Sequence, residues 1–310
     1  MIDVLLLGTG AMMPLPDRYL SATLFRVGPH LHLVDCGEGT QVAMREFGWG
    51  FKRLDTILLT HFHSDHVAGL PGLMHTLAHS DKTEPLHIVG PVGTYRVVEG
   101  LFVIVGRLPF EVFIHELEQG DTVDLPSGAR VTAAEGDHRG LVLAYRIDLE
   151  RNPEFLPERA EALGVPREQW SQLQRGEMVI VNGNVIEPDE VLSGPREGVS
   201  LGIATDTRPT YSVAELMGGV DLLIAEGTYG DDVDAQKASE RGHMTFRESA
   251  TLARDARATG LWLTHFGVGM TDPAEYLANA TDVFLNTTLG ESGLMTTITF
   301  DEGYTGPIRR

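Results

Sequence analysis

Thr60-His61-Phe62-His63-Ser64-Asp65-His66 is the stretch from which the rest of the chain is read. His61, His63, Asp65 and His66 all have side chains that bind metals well. Residues 54–60 are apolar and rich in β-formers, the pattern of a buried strand. Residues 67–79 carry apolar side chains at helical spacing. The cluster therefore falls on a loop between a strand end and a helix start, where a rigid scaffold commonly carries its site. Imidazole nitrogen and carboxylate oxygen together suit zinc or a similar divalent ion such as Mn2+. One tetrahedral ion does not easily take all four groups from so short a loop. Alternate residues point different ways, so His61 and His63 can serve one ion while Asp65 and His66 serve a neighbour.

The pattern His-x-His-x-Asp-His after an apolar strand resembles the metallo-β-lactamase superfamily. The longer run 61–73 is more narrowly similar to the ribonuclease Z family, the transfer-RNA 3′-processing endonucleases. The tail Gly69-Leu70-Pro71-Gly72-Leu73 is what narrows it.

The chain has 310 residues, long enough for one large domain with a sizeable core. Its start reads as a first strand and not as a signal peptide, and no apolar run approaches membrane-spanning length. One cysteine, Cys36, excludes an intramolecular disulfide and fits a cytoplasmic protein. Lys and Arg number 24 against 44 Asp and Glu, a net charge of −20. Nucleic-acid binding gains most of its affinity from neutralising phosphates, so this balance argues against tight non-specific RNA binding. It leaves room for a local basic groove or for phosphate binding through divalent ions, which would bring their own positive charge.

Along the chain, Gly8-Thr9-Gly10 is a turn and not a dinucleotide fingerprint, because no helix pattern continues it. Asp35-Cys36-Gly37-Glu38-Gly39-Thr40 resembles the family's Asp-x-Gly-x-Gly-Thr turn. The resemblance implies that Asp35 orients the metal loop and does not bind metal itself, as carboxylates behind ligand histidines do. His138 ends a strand over 130–135 in a Gly-flanked turn; the resemblance makes it a metal ligand. Asp206-Thr207-Arg208 resembles Gly-Asp-Thr-Arg, with Asp206 as a bridge between two ions. Glu226 and Thr228 match the family's His-Glu-Ala-Thr, His243 its His-Ser-Thr, and His265 its last metal ligand. His30, His32, His75, His79, His87 and His115 have no partner motif and are expected on the surface or on helix faces.

Residues 149–198 change character. Five prolines punctuate them and the apolar periodicity weakens. A helix is expected over 158–163 and a hairpin at Asn182-Gly183-Asn184. The resemblance implies an arm that protrudes from a single domain spanning 1–310 and grips transfer RNA. Ten acidic residues against five arginines make this segment a poor grip for RNA. A dimerisation or lid element is the alternative.

The resemblance runs through nearly the whole chain. It implies an α/β fold, the metallo-β-lactamase-like αββα four-layer sandwich, and a homodimer. It implies two zinc ions, the first on His61, His63 and His138, the second on Asp65, His66 and His265. It further implies Asp65 as general base and His243, held by Glu226, as the group that protonates the leaving 3′ oxygen. Arg18, Arg208 and Thr228 are the expected substrate contacts. Two departures pull against an RNA substrate. Pro14-Leu15-Pro16-Asp17-Arg18-Tyr19 keeps only the arginine of the family's Pro-x-Lys-x-Arg-Asn, and Phe266-Gly267-Val268-Gly269 lacks the arginine of Phe-Ser-x-Arg-Tyr. Precursor transfer RNA is the substrate the resemblance implies. The alternatives are a small-molecule phosphodiester, sulfate ester or lactone on the same frame, and a binding protein without catalysis.

Overall fold

The computed structural model describes residues 1–308. It divides into two compact units, one of residues 1–149 with 199 onward, the other of residues 150–198.

The larger unit starts with β1 (Ile2–Gly8), β2 (Ala22–Val27) and β3 (His30–Val34), followed by α1 (Thr40–Phe47). Then come β4 (Leu54–Leu58), α2 (Ser64–Val67), α3 (Leu70–Ala78), β5 (Leu86–Pro91), α4 (Thr94–Phe102) and β6 (Val112–Leu117). β7 (Thr122–Asp124), β8 (Arg130–Glu135) and β9 (Leu143–Arg151) open the second sheet. The smaller unit holds α5 (Pro157–Ala162), α6 (Trp170–Gln174), β10 (Val179–Val181) and β11 (Asn184–Ile186). The chain continues through β12 (Arg196–Ala204), α7 (Tyr211–Leu216), β13 (Leu222–Glu226), α8 (Ala235–Arg241), α9 (Phe246–Asp255) and β14 (Gly260–Thr264). It closes with α10 (Leu277–Thr281), β15 (Thr287–Leu289) and β16 (Met295–Ile298).

The larger unit is an αββα sandwich of two seven-stranded sheets, ordered β16-β1-β2-β3-β4-β5-β6 and β15-β14-β13-β12-β9-β8-β7. Period-two alternation decides which side chains meet between the sheets. Val4, Leu6, Phe25 and Val34 from one sheet pack with Val131, Tyr145, Ile203, Ile224 and Trp262 from the other. The intervening residues of the first sheet, such as Leu5, Leu33, Ile57 and Ile88, pack outward with Met44, Leu73 and Val98 of the helices. On the far side, Leu223, Ala225, Leu261 and Leu263 meet Val213, Phe246, Ala250 and Ala280. β3 to β6 run parallel, as do β12 to β15. Strands buried on both faces read as unbroken apolar runs, as β13 and β14 do.

The smaller unit has its own apolar cluster of Ala160, Val165, Leu173, Val179, Val181, Ile186 and Val191. Its hairpin pairs β10 with β11 through Asn182 and Gly183, both at positive φ (53° and 84°). That is the two-residue turn that an Asn-Gly pair favours.

The helix expected over 67–79 is two helices, α2 and α3, and Asp65 and His66 lie within α2 and not on a loop. The break is at Gly69, whose N–H donates to the Cys36 carbonyl (2.9 Å) outside the helix. His32 is not a surface residue: it is fully buried in β3 beside Phe25, its Nε2 2.8 Å from Ser127 Oγ. His30 is paired with Asp55 (2.5 Å), and His87 with His115 (3.0 Å). Before α10 the chain makes a 3-10 turn at Pro273–Tyr276.

Candidate metal centre

The side chains of the cluster come from strand ends on one rim of the sandwich and from α2, which carries Asp65 and His66. Asp35 follows β3, His61 lies beyond β4, His138 beyond β8, Asp206 beyond β12, and His265 follows β14. Asp35, Asp206 and His265 adopt left-handed backbone (φ 59°, 55° and 55°), as does Met12 (65°). Such conformations cost non-glycine residues of order 1–3 kcal/mol each, and they concentrate where a chain is held for function. The left-handed turn re-aims each side chain from the strand into the rim.

The nitrogens and oxygens converge in two groups from the motif residues, and a third brings His243 to Asp206 and His265. His61, His63, His138 and Asp206 offer atoms that all lie within 4.8 Å of one another, and so do Asp65, His66 and His265. Asp206 joins them with one oxygen each. Its Oδ2 lies 3.6 Å from His61 Nε2 and 3.9 Å from His138 Nε2, while Oδ1 is 3.3 Å from His66 Nε2 and 3.1 Å from His265 Nε2. Within the groups, His63 Nδ1 is 3.3 Å from His138 Nε2, and His66 Nε2 is 3.2 Å from His265 Nε2. Asp65 Oδ2 is 3.5 Å from His265 Nε2 and accepts the Met12 N–H at 2.7 Å.

A layer behind these groups sets the tautomers. The Asp35 carboxylate accepts His66 Nδ1–H at 2.7 Å, and both the N–H (2.9 Å) and the hydroxyl of Thr60. Since the Thr60 hydroxyl donates to Asp35, its lone pair faces His61 Nδ1 (3.1 Å). The Gly242 carbonyl takes His138 Nδ1–H at 2.9 Å. The Thr228 hydroxyl donates to Glu226 Oε2 at 2.6 Å, so its lone pair faces His265 Nδ1 at 3.1 Å. Each Nδ1–H is thereby engaged, and the Nε2 lone pairs of His61, His66, His138 and His265 are left for the centre.

These donors fit divalent cations. His61 Nε2 and Asp206 Oδ1 are buried and have no hydrogen-bond partner, an arrangement a folded protein does not keep without compensation. Burial pushes the His61 pKa down to about 2, so the ring is a neutral ligand. Burial would raise the pKa of Asp206, yet His265, His66 and His61 hold it well below the carboxylate range. Burial likewise opposes charge on His66, but Asp206 and Asp35 outweigh it and lift its pKa well above the usual value. A pocket with three buried carboxylates and rings that would otherwise be forced to protonate is one built for positive charge.

Beside the cluster, His243 Nδ1 is 3.0 Å from Glu226 Oε2. Glu226 is fully buried and also accepts from the N–H groups of Thr207 (2.7 Å) and Met244 (3.0 Å). Burial works against charge on His243, but the bond to Glu226 raises its pKa above the ordinary value. A cleft of about 340 Å³ opens over the site between Met12, Ser64, Arg139, Tyr229, Arg241 and His243.

The expected substrate contacts are arranged differently. Arg208 is turned away from the cleft: it forms a bidentate pair with Glu248 (one contact 2.8 Å) and donates to the His243 carbonyl. Arg18 donates to the Met270 carbonyl (3.0 Å) and lies over the Phe266 ring. Thr228 touches Glu226 and His265 from a nearly buried position. Thr60, the Met12 N–H and Glu248 were not singled out from sequence. Glu248 alone had a local signal, since Thr245-x-x-Glu248 before an apolar run is a capping box.

The fold and the site define a metal-dependent hydrolase of the metallo-β-lactamase fold. A family model described as Anti-Pycsar protein Apyc1 matches residues 2–94. Ribonuclease Z of Clostridium beijerinckii is 44% identical over 308 residues, covering 97% of this chain and 100% of that one. The crystal structure of human tRNase Z, short form, superposes with a TM-score of 0.67 at 25% identity, covering 96% of this chain and 99% of that chain. The metallo-β-lactamase fold protein YhfI of Bacillus subtilis superposes at 0.68 with 19% identity, covering 95% and 98%. The chain belongs to the ribonuclease Z family.

Proposed function

We propose that this protein is an endoribonuclease that removes 3′ trailers from precursor transfer RNA, with two zinc ions in the paired clusters. The observation that carries this reading is Asp206, whose two oxygens face the two groups of imidazole nitrogens separately. His61, His63 and His138 would hold one ion, and Asp65, His66 and His265 the other, with Asp206 between them. Ions held there supply Lewis acidity for a phosphate oxygen and bring the pKa of bound water to roughly 7.

The chain's own groups handle the protons. Asp65, held ionised, accepts a hydrogen bond from the attacking water and takes its proton as the new P–O bond forms. The bond from phosphorus to the 3′ oxygen breaks, and His243 gives that oxygen a proton. Glu226 keeps His243 protonated and fixes its ring. The products are a 3′ hydroxyl and a 5′ phosphate. Residues 149–198 serve as the arm toward transfer RNA, in a cytoplasmic homodimer. Relatives bearing the ribonuclease Z name over the full chain length support RNA as substrate.

A small-molecule phosphodiester is the second reading, favoured by the net charge of −20. The test is cleavage of a 3′-extended precursor transfer RNA beside bis(p-nitrophenyl) phosphate, with zinc-loaded protein and the His243→Ala variant. Cutting at the discriminator nucleotide, lost in the variant, is expected. Turnover of the small diester with intact RNA would move the function to the second reading.

A further inference from the structure

A site that cuts a nucleic acid must hold phosphates, yet this chain is strongly acidic and two expected phosphate contacts are engaged elsewhere. Arg18 faces the Met270 carbonyl and Arg208 faces Glu248. Two other guanidinium groups line the cleft: Arg139 and Arg241. Both are exposed, and among the described residues neither has a carboxylate within ion-pair distance.

Their placement follows from one contact. His138 Nδ1 donates to the Gly242 carbonyl at 2.9 Å, which brings the turn after β8 against the end of α8. The approach is close enough that a Cβ at residue 242 would lie 2.8 Å from His138 Nδ1 and 3.0 Å from His138 Cα, so only glycine fits. Arg139 follows His138 and Arg241 precedes Gly242. The bond that orients His138 therefore also brings the two segments that carry these arginines to one cleft. Beyond Arg241 the cleft continues into a second hollow of about 310 Å³, which shares Met12, Thr228, Tyr229 and Arg241 with it. Its outer part carries Asp231 and Asp234 against Lys237, which lies 3.7 Å from Asp234. The cleft over the metal cluster itself is lined by the guanidinium groups of Arg139 and Arg241.

We infer that Arg139 and Arg241 form a clamp for a backbone phosphate next to the scissile one. Guanidinium forks bind phosphate oxygens bidentately, which gives geometry as well as charge. The clamp is at the His243 side of the site. It rests on the proposed function insofar as His243 protonates the leaving 3′ oxygen: the phosphate it takes then belongs to the strand that keeps the 3′ hydroxyl.

The experiment uses zinc-loaded full-length protein, the Arg139→Gln and Arg241→Gln variants and their double, and the Arg139→Lys/Arg241→Lys double variant. Arg254→Gln, at the remote end of α9, is the control. Two readouts are taken: the KM–kcat split on precursor transfer RNA, and the salt dependence of binding a short single-stranded RNA by fluorescence anisotropy. Metal content per chain checks that His138 is undisturbed. The double Gln variant is expected to raise KM tenfold or more with a smaller change in kcat, since charged hydrogen bonds of this kind carry such factors (~10–100-fold). Its log–log salt slope is expected to fall by about 0.7, the contribution of one single-strand phosphate contact. Lysine is expected to restore the slope but only part of the KM. Unchanged KM and slope in the double variant overturn the clamp while leaving the proposed function intact. A wild-type protein that does not cut precursor transfer RNA, but binds the short RNA with an arginine-dependent slope, overturns the proposed function and keeps the clamp. A wild-type protein that neither cuts precursor transfer RNA nor binds the short RNA overturns both.

Discussion

The Asp35 carboxylate sits 2.7 Å from Nδ1 of His66 and simultaneously accepts both hydrogen-bond donors of Thr60, whose hydroxyl in turn meets the His61 ring. One aspartate therefore orients a histidine in each metal group without facing either group itself. The expected consequence of Asp35→Asn is a 10–100-fold loss of metal affinity, the range typical of outer partners of ligand histidines. Competition against a chromogenic chelator measures it. Wild-type affinity in that variant would remove Asp35 from the role.

Gly69 and Gly37 show how the sequence holds the metal helix in place. A Cβ on Gly69 would lie 2.1 Å from the Gly37 carbonyl oxygen and 2.8 Å from that of Cys36, both backbone atoms that cannot swing aside. Gly69→Ala is expected to separate α2 from the Asp35 turn, costing about 1–3 kcal/mol or more, as overpacking does. The melting temperature of the apo-protein should fall by several degrees, and metal affinity with it. Gly100, in α4, faces open space. Gly100→Ala should leave metal affinity alone and stabilise by about 0.5–1 kcal/mol through helix propensity. Equal melting temperatures for the two variants would contradict this reading.

Much of the fold was legible because its central strands are buried on both faces and so are written as plain apolar runs. β8 spans 130–135, the strand expected there. The residues of the candidate metal cluster stood out in the sequence because they fall in tight motifs, at strand ends or, for Asp65 and His66, at the start of α2. What the sequence did not carry is direction. Arg208 stands in a motif, but its partner Glu248 is forty residues on and the pairing exists only once α9 is packed. The break at Gly69 depends on a carbonyl from the Cys36 turn, a contact that local periodicity does not encode. His32 has an alternating neighbourhood that fits either face of a strand, and only the second sheet decides that it is buried.

Burial pushes the His32 pKa down to about 3, with the neighbouring His30 adding to the effect. The unfolded chain takes up this proton near pH 6.5 while the folded one does not until about 3. Stability from the neutral ring is thus fully present above 6.5. It declines as pH falls through that window, by about 1.4 kcal/mol per pH unit. His32→Gln removes the titration and should flatten the slope of unfolding free energy between pH 6 and about 4 by about one proton. Urea titrations of metal-free protein across that range test this, and identical slopes for the two proteins would show that His32 is already able to charge in the fold.

Glu226 accepts from His243 Nδ1, Thr207 N, Met244 N and the Thr228 hydroxyl, so its charge is spread over four donors but faces only one ionisable ring. Burial disfavours the charged form of His243, and the bond to Glu226 more than offsets it, so the ring stays protonated to higher pH than a free imidazole. If this ring supplies the proton to the leaving oxygen, kcat requires its protonated form and falls as pH rises through the raised pKa. His243→Ala is expected to lower kcat by about 10²–10⁴ and to abolish that alkaline limb. Glu226→Gln weakens the support of the proton, so the limb should move to lower pH, and kcat at neutral pH should fall by less than in His243→Ala. The double variant should be scarcely slower than His243→Ala, because two residues that act as one device are not additive. A pH–kcat profile for the four proteins decides it. An alkaline limb that stays in place in Glu226→Gln, or losses that multiply in the double variant, would mean that the pair orders the rim and that the proton comes from elsewhere.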